Sequence, residues 1–155
     1  MSTKIFLEKQ WDKLLLKLLL AGIYLFAGGA KIFNLYLYKV TILAYYSFLP
    51  ESLALLIAIV FPWVEILAGL SLVLNWKTKY SSGFLFLLSL FFFIQIILNY
   101  SNILPYGCGC FGFGGPEKIS LYHVLRDFLI MFLAGLVSLK EWLYRRNSAI
   151  YRETK

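Results

Sequence analysis

Four long apolar runs alternate with short polar breaks along the chain. The first covers residues 14–30, LLLKLLLAGIYLFAGGA, interrupted only by Lys17, and the others run from Ser52 to Asn75, Gly83 to Asn99 and Ser120 to Tyr144. At about 1.5 Å of rise per residue, roughly 20 apolar residues in a helix cross a hydrocarbon core of about 30 Å. Each run therefore predicts a membrane-spanning helix, with spans at about 14–31, 52–75, 82–99 and 120–144. Lys17 lies near the start of its span and is expected to extend its stem to the headgroups. Residues 1–13 are mixed in charge and carry Trp11 where an interfacial aromatic would sit. A basic start followed by an apolar run also fits a secretory signal peptide, but the spans that follow favour a retained first helix.

Residues 31–50 break the pattern. They contain Asn34, Lys39 and the tyrosines Tyr36, Tyr38, Tyr45 and Tyr46, and no polar turn separates them from the first span. Leu37, Val40, Ala44 and Phe48 recur at helical spacing, and tyrosine belts belong at headgroup depth. An interfacial or re-entrant amphipathic helix over about 36–49, ended by Pro50, is expected here. The predicted fold class is all-α: a polytopic four-transmembrane-helix bundle with one extra interfacial helix, forming a single membrane domain over 1–155.

Composition agrees with this pattern. A chain of 155 residues that is 61% hydrophobic and 15% charged cannot hide its apolar surface inside a water-soluble domain. Its net charge of +7 does not point to nucleic acid, because the basic residues sit at the ends of apolar runs. With four spans, one face carries Lys4, Lys9, Lys13, Lys17, Lys77, Lys79, Lys140, Arg145, Arg146, Arg152 and Lys155, and the other only Lys31, Lys39, Lys118 and Arg126. Positive residues stay inside, which predicts an inner-membrane protein with both termini cytoplasmic and residues 100–119 outside.

That outer loop holds the two cysteines, Cys108 and Cys110, in the run GCGCFGFGG. Disulfides form and persist in such a compartment. A pair separated by one glycine closes only a small, strained ring, and it constrains almost no chain entropy. Exchange chemistry therefore suits it better than a structural staple or inert thiols. A metal reading would need Cys108, Cys110, His123 and Asp127 as four ligands, and His123, the single histidine, is more simply an interfacial hydrogen-bonder.

Polar residues inside the spans sharpen the site. Pro62, Glu65 and Gly69 share one helical stripe, so the acid is expected to face a close-packed seam, with Pro62 kinking the helix. Arg126 and Gln95 lie roughly 8 to 10 Å below the outer surface and Glu65 about 18 Å below it, while Lys31 caps the first span. Intramembrane ionisable groups mark functional sites or neutralise one another, and Glu65 could pair with Lys31 or with Arg126 for charge balance alone. A cation near the cysteines would favour a thiolate, and Arg126 and Lys31 are the candidates.

The segments GGAKIF at Gly28 to Phe33, YYSFLP ending at Pro50, FPWVEILAGLSLVL, and CGCFG followed by a helix with an Arg-Asp pair resemble the MauE/DoxX family of redox-associated membrane proteins. The resemblance covers residues 14–140. It implies a four-helix membrane protein tied to thiol-disulfide chemistry in methylamine utilisation, where a cysteine-rich periplasmic enzyme subunit acquires its disulfides beside thioredoxin-fold proteins. By the same resemblance Cys108 and Cys110 match a redox pair, and Lys31, Glu65, Arg126 and Asp127 match a polar framework. The plan is also similar to the DsbB and vitamin K epoxide reductase type, which pass electrons to a quinone through a second cysteine pair absent here, so a quinone enters by analogy only. The expected function is a membrane thiol-disulfide oxidoreductase or electron conduit with an extracytoplasmic thioredoxin-fold or cysteine-bearing partner. The alternative is a non-catalytic anchor or assembly subunit of a larger membrane complex, with structural cysteines.

Overall fold

The structure is a computed structural model that describes the backbone of residues 2–153 and the side chains of residues 14–143. Trp11 and the basic side chains before Leu14 and after Leu143 lie outside those described. Seven elements follow one another: α1 Ser2–Phe33, α2 Leu35–Tyr45, α3 Glu51–Val73, α4 Thr78–Leu98, β1 Ile103–Leu104, β2 Glu117–Lys118 and α5 Leu121–Glu153. Four helical stretches, Leu14–Phe33, Glu51–Val73, Thr78–Leu98 and Leu121–Leu143, are long and apolar enough to cross a bilayer. The protein is thus an all-α, multi-pass membrane protein. Outward-facing Leu15, Leu19, Trp63, Leu67, Leu87 and Phe132 are all more than half exposed, as a lipid-facing surface requires.

The bundle core is built from four helices at once. Leu20, Ala21 and Tyr24 of α1 meet Leu72 of α3, Leu85 and Leu88 of α4, and Ala134 and Val137 of α5. The α1–α3 seam is the closest, and glycine makes it possible. A Cβ on Gly28 would lie 2.9 Å from the Pro62 carbonyl oxygen, and one on Gly69 would lie 3.3 Å from that of Ala21. Close approach of backbones is how apolar helices associate where no hydrophobic driving force exists between them. Pro62, Glu65 and Gly69 are all buried, so the stripe expected to face a seam does so.

The segment after α1 departs from expectation in detail. Asn34 separates α1 from α2, with its Nδ2 donating to the Ala30 carbonyl at 3.0 Å. Eleven residues give α2 about 16 Å of length, too short to cross a membrane. Its inward face is Tyr38, Thr41 and Ile42, packed with Ala54 and Ala58 of α3, whereas Ala44 and Phe48 of the expected apolar stripe are exposed. In a membrane, outward positions are also apolar, so hydropathy alone selects the wrong face. Pro50 does not end α2, which stops at Tyr45; it stands at the N-cap of α3, where its carbonyl accepts from Leu53 and Ala54.

At the opposite end of the bundle, Lys17 turns inward instead of reaching for headgroups. Its Nζ pairs with Glu141 of α5 at 2.5 Å and donates to Asn75 Oδ1 at 3.2 Å. These contacts place the start of the α1 span, the α3–α4 turn and the far part of α5 at one end, with the cysteine loop at the other. The backbone of α5 continues helically to Glu153, beyond the span expected to end at Tyr144.

Candidate functional site

The loop from 99 to 120 is fastened before it presents its cysteines. β1 and β2 pair antiparallel, Ile103 opposite Lys118 and Leu104 opposite Glu117. Backbone bonds from Ser101 to Ile119 at 3.1 Å and from Ile119 to Asn102 at 2.9 Å close the base. Leu104 and Ile119 plug onto Ile96 of α4. His123 belongs to this fastening: its Nδ1 accepts from the Ser120 N–H at 3.3 Å, and its Nε2 faces Glu117 at 3.2 Å. Both ring nitrogens are thus engaged within the clamp and not with the cysteines. Two-residue strands leave no periodic signal, which is why the clamp is invisible in the sequence.

The glycine between the cysteines is required where it stands. Gly109 has φ +71°, the left-handed region, and a Cβ there would meet Thr41 Cγ2 at 3.2 Å. The turn sets the two sulfurs in different surroundings, and both cysteines are free thiols. Arg126 Nη2 lies 3.3 Å from Cys108 Sγ, while its Nε donates to Asp127 Oδ1 at 2.7 Å. Phe111 stacks on the guanidinium at 4.8 Å and holds its plane. Cys110 Sγ lies 4.0 Å from Asp127 Oδ2 and 3.7 Å from the Cys108 carbonyl oxygen.

This asymmetry sets the two thiols apart. The Cys110 thiol donates toward the Cys108 sulfur, and Arg126 faces it, so together they hold Cys108 well below the ordinary thiol range against the opposing effect of burial. Cys110, which gives that hydrogen bond and is desolvated beside Asp127, is pushed well above it. Both directions favour the thiolate on Cys108 and the proton on Cys110. Tyr45 at the end of α2 donates to the Cys108 carbonyl at 3.4 Å, and burial followed by the nearby cysteines raises its phenol well above the ordinary value. It remains a donor at neutral pH.

Lys31 and Glu65 form a separate pair. Lys31 Nζ reaches Glu65 Oε1 at 2.5 Å, with the residues 1% and 0% exposed. Phe92 lies 4.7 Å and Tyr38 5.4 Å from the ammonium. Of the two cations considered for the cysteines, Arg126 takes the role and Lys31 does not. Gln95 makes no contact with the sulfurs in the hydrogen-bond network; it lines a cavity of about 310 Å³ between α2, α3 and α4 that opens onto Cys108 and Cys110. Phe48, Ile57, Phe61, Phe91 and Phe92 give this cavity apolar walls, and Tyr38, Tyr45 and Lys31 give it polar tips. A second chamber of about 30 Å³ lies against Cys110 and Asp127 on one side and Lys31 and Glu65 on another, with Tyr24 and Ser89 beside them. The two spaces share Lys31, Phe92 and Cys110 as walls.

Tyr24, Ser89, Tyr45 and Phe111 are site residues that sequence reasoning missed. Tyr24 and Ser89 are bonded to each other at 2.6 Å across 65 positions, and a tyrosine and a serine within apolar runs were the only trace of it. The family described as methylamine utilisation protein MauE matches residues 9–140, and the chain belongs to it. Comparison with curated proteins and with solved structures gives no match.

Proposed function

We propose that this MauE-family membrane protein is a thiol-disulfide oxidoreductase that exchanges disulfides with a cysteine-bearing protein, of thioredoxin fold or otherwise, outside the cytoplasm. The observation that carries the reading is the division of labour in the loop: a cation 3.3 Å from Cys108, and a protonated Cys110 held behind it beside a carboxylate. Cys108 thiolate attacks one sulfur of a partner disulfide. The Cys108–partner S–S bond forms, the partner's own S–S bond breaks, and the first partner sulfur leaves as thiolate. Cys110 then gives up its proton and attacks the Cys108 sulfur, displacing the second partner sulfur. The partner has gained two electrons and this chain holds the disulfide; the reverse sequence oxidises a partner dithiol. The excess of lysine and arginine at the opposite end of the bundle supports an extracytoplasmic loop.

The 310 Å³ cavity supports coupling to a lipid-soluble quinone. Its size falls in the range of small-molecule sites, and its mixture of aromatic walls with a few polar tips suits a flat ring bearing carbonyls. A quinone bound there supplies a two-electron, two-proton acceptor. Of this chain's own residues, Phe61, Phe91 and Phe92 would enclose the ring, and Lys31, Tyr45 and Gln95 would orient it.

The test is mixed-disulfide trapping in intact cells. With Cys110→Ser, Cys108 should accumulate as a covalent adduct with its partner, and membrane-impermeant maleimide should compete with trapping. Cys108→Ser should abolish the adduct. If both single variants leave trapping and the in vivo phenotype unchanged, the protein is an anchor or assembly subunit and the redox reading fails.

A further inference from the structure

Among the described residues, Glu65 Oε2 is the buried side-chain oxygen with no hydrogen-bond partner. Its other oxygen holds Lys31. An unsatisfied carboxylate oxygen at zero exposure is costly, so it calls for a partner such as water, an ion or a proton. The residue lines the 30 Å³ chamber, whose volume and polar walls suit a water molecule. The same chamber is lined by Cys110 and Asp127, so a single small space connects the proton-bearing thiol of the loop with the open carboxylate oxygen in mid-bundle.

We propose that Glu65 is the proton-holding group of the cysteine pair: when the Cys108–Cys110 bond closes, the Cys110 proton passes by way of Asp127 and chamber water to Glu65 Oε2, and it returns when the bond reopens. The inference rests on the exchange reading above. Closing the bond by exchange with a protein disulfide moves two electrons to the partner sulfurs and frees one proton from Cys110, and the chamber against that residue offers the proton a path inward. Asp127 lies nearest, but it is a poor resting place. Its Oδ1 already accepts from Arg126 Nε at 2.7 Å and its Oδ2 lies 4.0 Å from the Cys110 sulfur, whereas Glu65 keeps Oε2 open. The proton is therefore passed on. Lys31 and Tyr24 from α1, Ser89 from α4, Asp127 from α5 and Cys110 from the loop share this chamber with Glu65, and Tyr38 of α2, beside Lys31, is close enough to feel the charge of Glu65. Tyr24 is bonded to Ser89 at 2.6 Å and to the Leu85 carbonyl at 3.2 Å, and Lys31 donates to Glu65 Oε1, which leaves Oε2 as the open oxygen. Lys31 also forms part of the wall of the larger cavity, so a proton held on Glu65 sits one side chain away from whatever occupies that space.

The experiment is redox-difference infrared spectroscopy on the full-length protein in lipid, oxidised with dithiobis(nitrobenzoic acid), an aromatic disulfide whose thiolate product stays ionised, with free thiols titrated in parallel. Closure should remove one S–H band and create a carboxylic-acid C=O band that shifts in ²H₂O. The band should shift with side-chain ¹³C-glutamate labelling and not with ¹³C-aspartate labelling, and it should vanish in Glu65→Gln. Where Glu65→Gln does not fold, Glu65→Asp should move the band to the aspartate-labelled sample, and Glu117→Gln should leave it in place. Closure of the unsubstituted protein without an acid band, or with a band that follows aspartate labelling, overturns the role of Glu65 and leaves the exchange reading standing. Thiols that never close into the bond overturn both.

Discussion

Arg126 Nη2 stands 3.3 Å from Cys108 Sγ, and the same guanidinium donates from Nε to Asp127 at 2.7 Å. One cation thus faces a cysteine sulfur and a carboxylate at once, and it gives two chemically identical side chains unequal surroundings. A thiol held below its ordinary range is deprotonated as pH rises through that lowered value, so Cys108 should still alkylate with iodoacetamide at pH 6, where an ordinary thiol is almost wholly protonated. Arg126→Ala should raise the Cys108 value and slow its labelling at pH 6 by roughly tenfold for each pH unit regained. Cys110, shifted the other way, should label only at alkaline pH. Mass-spectrometric rates for each cysteine across pH 5 to 10 check all three outcomes.

The Lys31–Glu65 pair is fully enclosed, so removing one member leaves an uncompensated charge in a low-dielectric interior. Lys31→Met should destabilise the bundle by about 3–5 kcal/mol, whereas Lys31→Met combined with Glu65→Leu should recover most of that loss. Reversible denaturation in mixed micelles measures both. A double variant no better than the single one would show that packing, and not charge, is at stake.

Gly28 and Gly22 form a matched contrast on α1. A Cβ at Gly28 would meet the Pro62 carbonyl at 2.9 Å and Ile66 Cγ1 at 2.7 Å, while one at Gly22 would meet nothing within 4 Å. Gly28→Ala should cost about 1–3 kcal/mol by forcing α1 from α3. Gly22→Ala should be neutral or stabilise by up to about 1 kcal/mol, through helix propensity alone. The same denaturation measurement reads both.

Gly109 sits at φ +71° with Thr41 against its face. Gly109→Ala should cost about 1–2 kcal/mol and displace one sulfur relative to the other. The thiol-disulfide equilibrium of the variant against glutathione buffer should shift, whereas Gly114→Ala, in open space at an ordinary φ, should leave it unchanged.

The sequence by itself determined the four spans, the inward stripe of Pro62, Glu65 and Gly69, and the presence of a glycine-hinged cysteine pair beside an Arg-Asp helix. These follow from run length, from the 3.6-residue period and from local composition, which act over short stretches of chain. It did not reveal the two-residue clamp of β1 and β2, whose bonds join positions 103 and 118 with no periodic trace. It misjudged the inner face of α2, because lipid and protein core favour the same apolar side chains. Above all, it could not assign partners to charges. Lys31, Arg126, Glu65 and Asp127 are two cations and two anions on the cysteine side of the bundle, and the sequence permitted Glu65 to pair with either cation. The rotation and spacing of α1, α3 and α5 decided that Lys31 crosses to Glu65 and that Arg126 turns to Cys108. Which charge meets which depends on the relative placement of whole helices, a quantity that tertiary packing alone fixes.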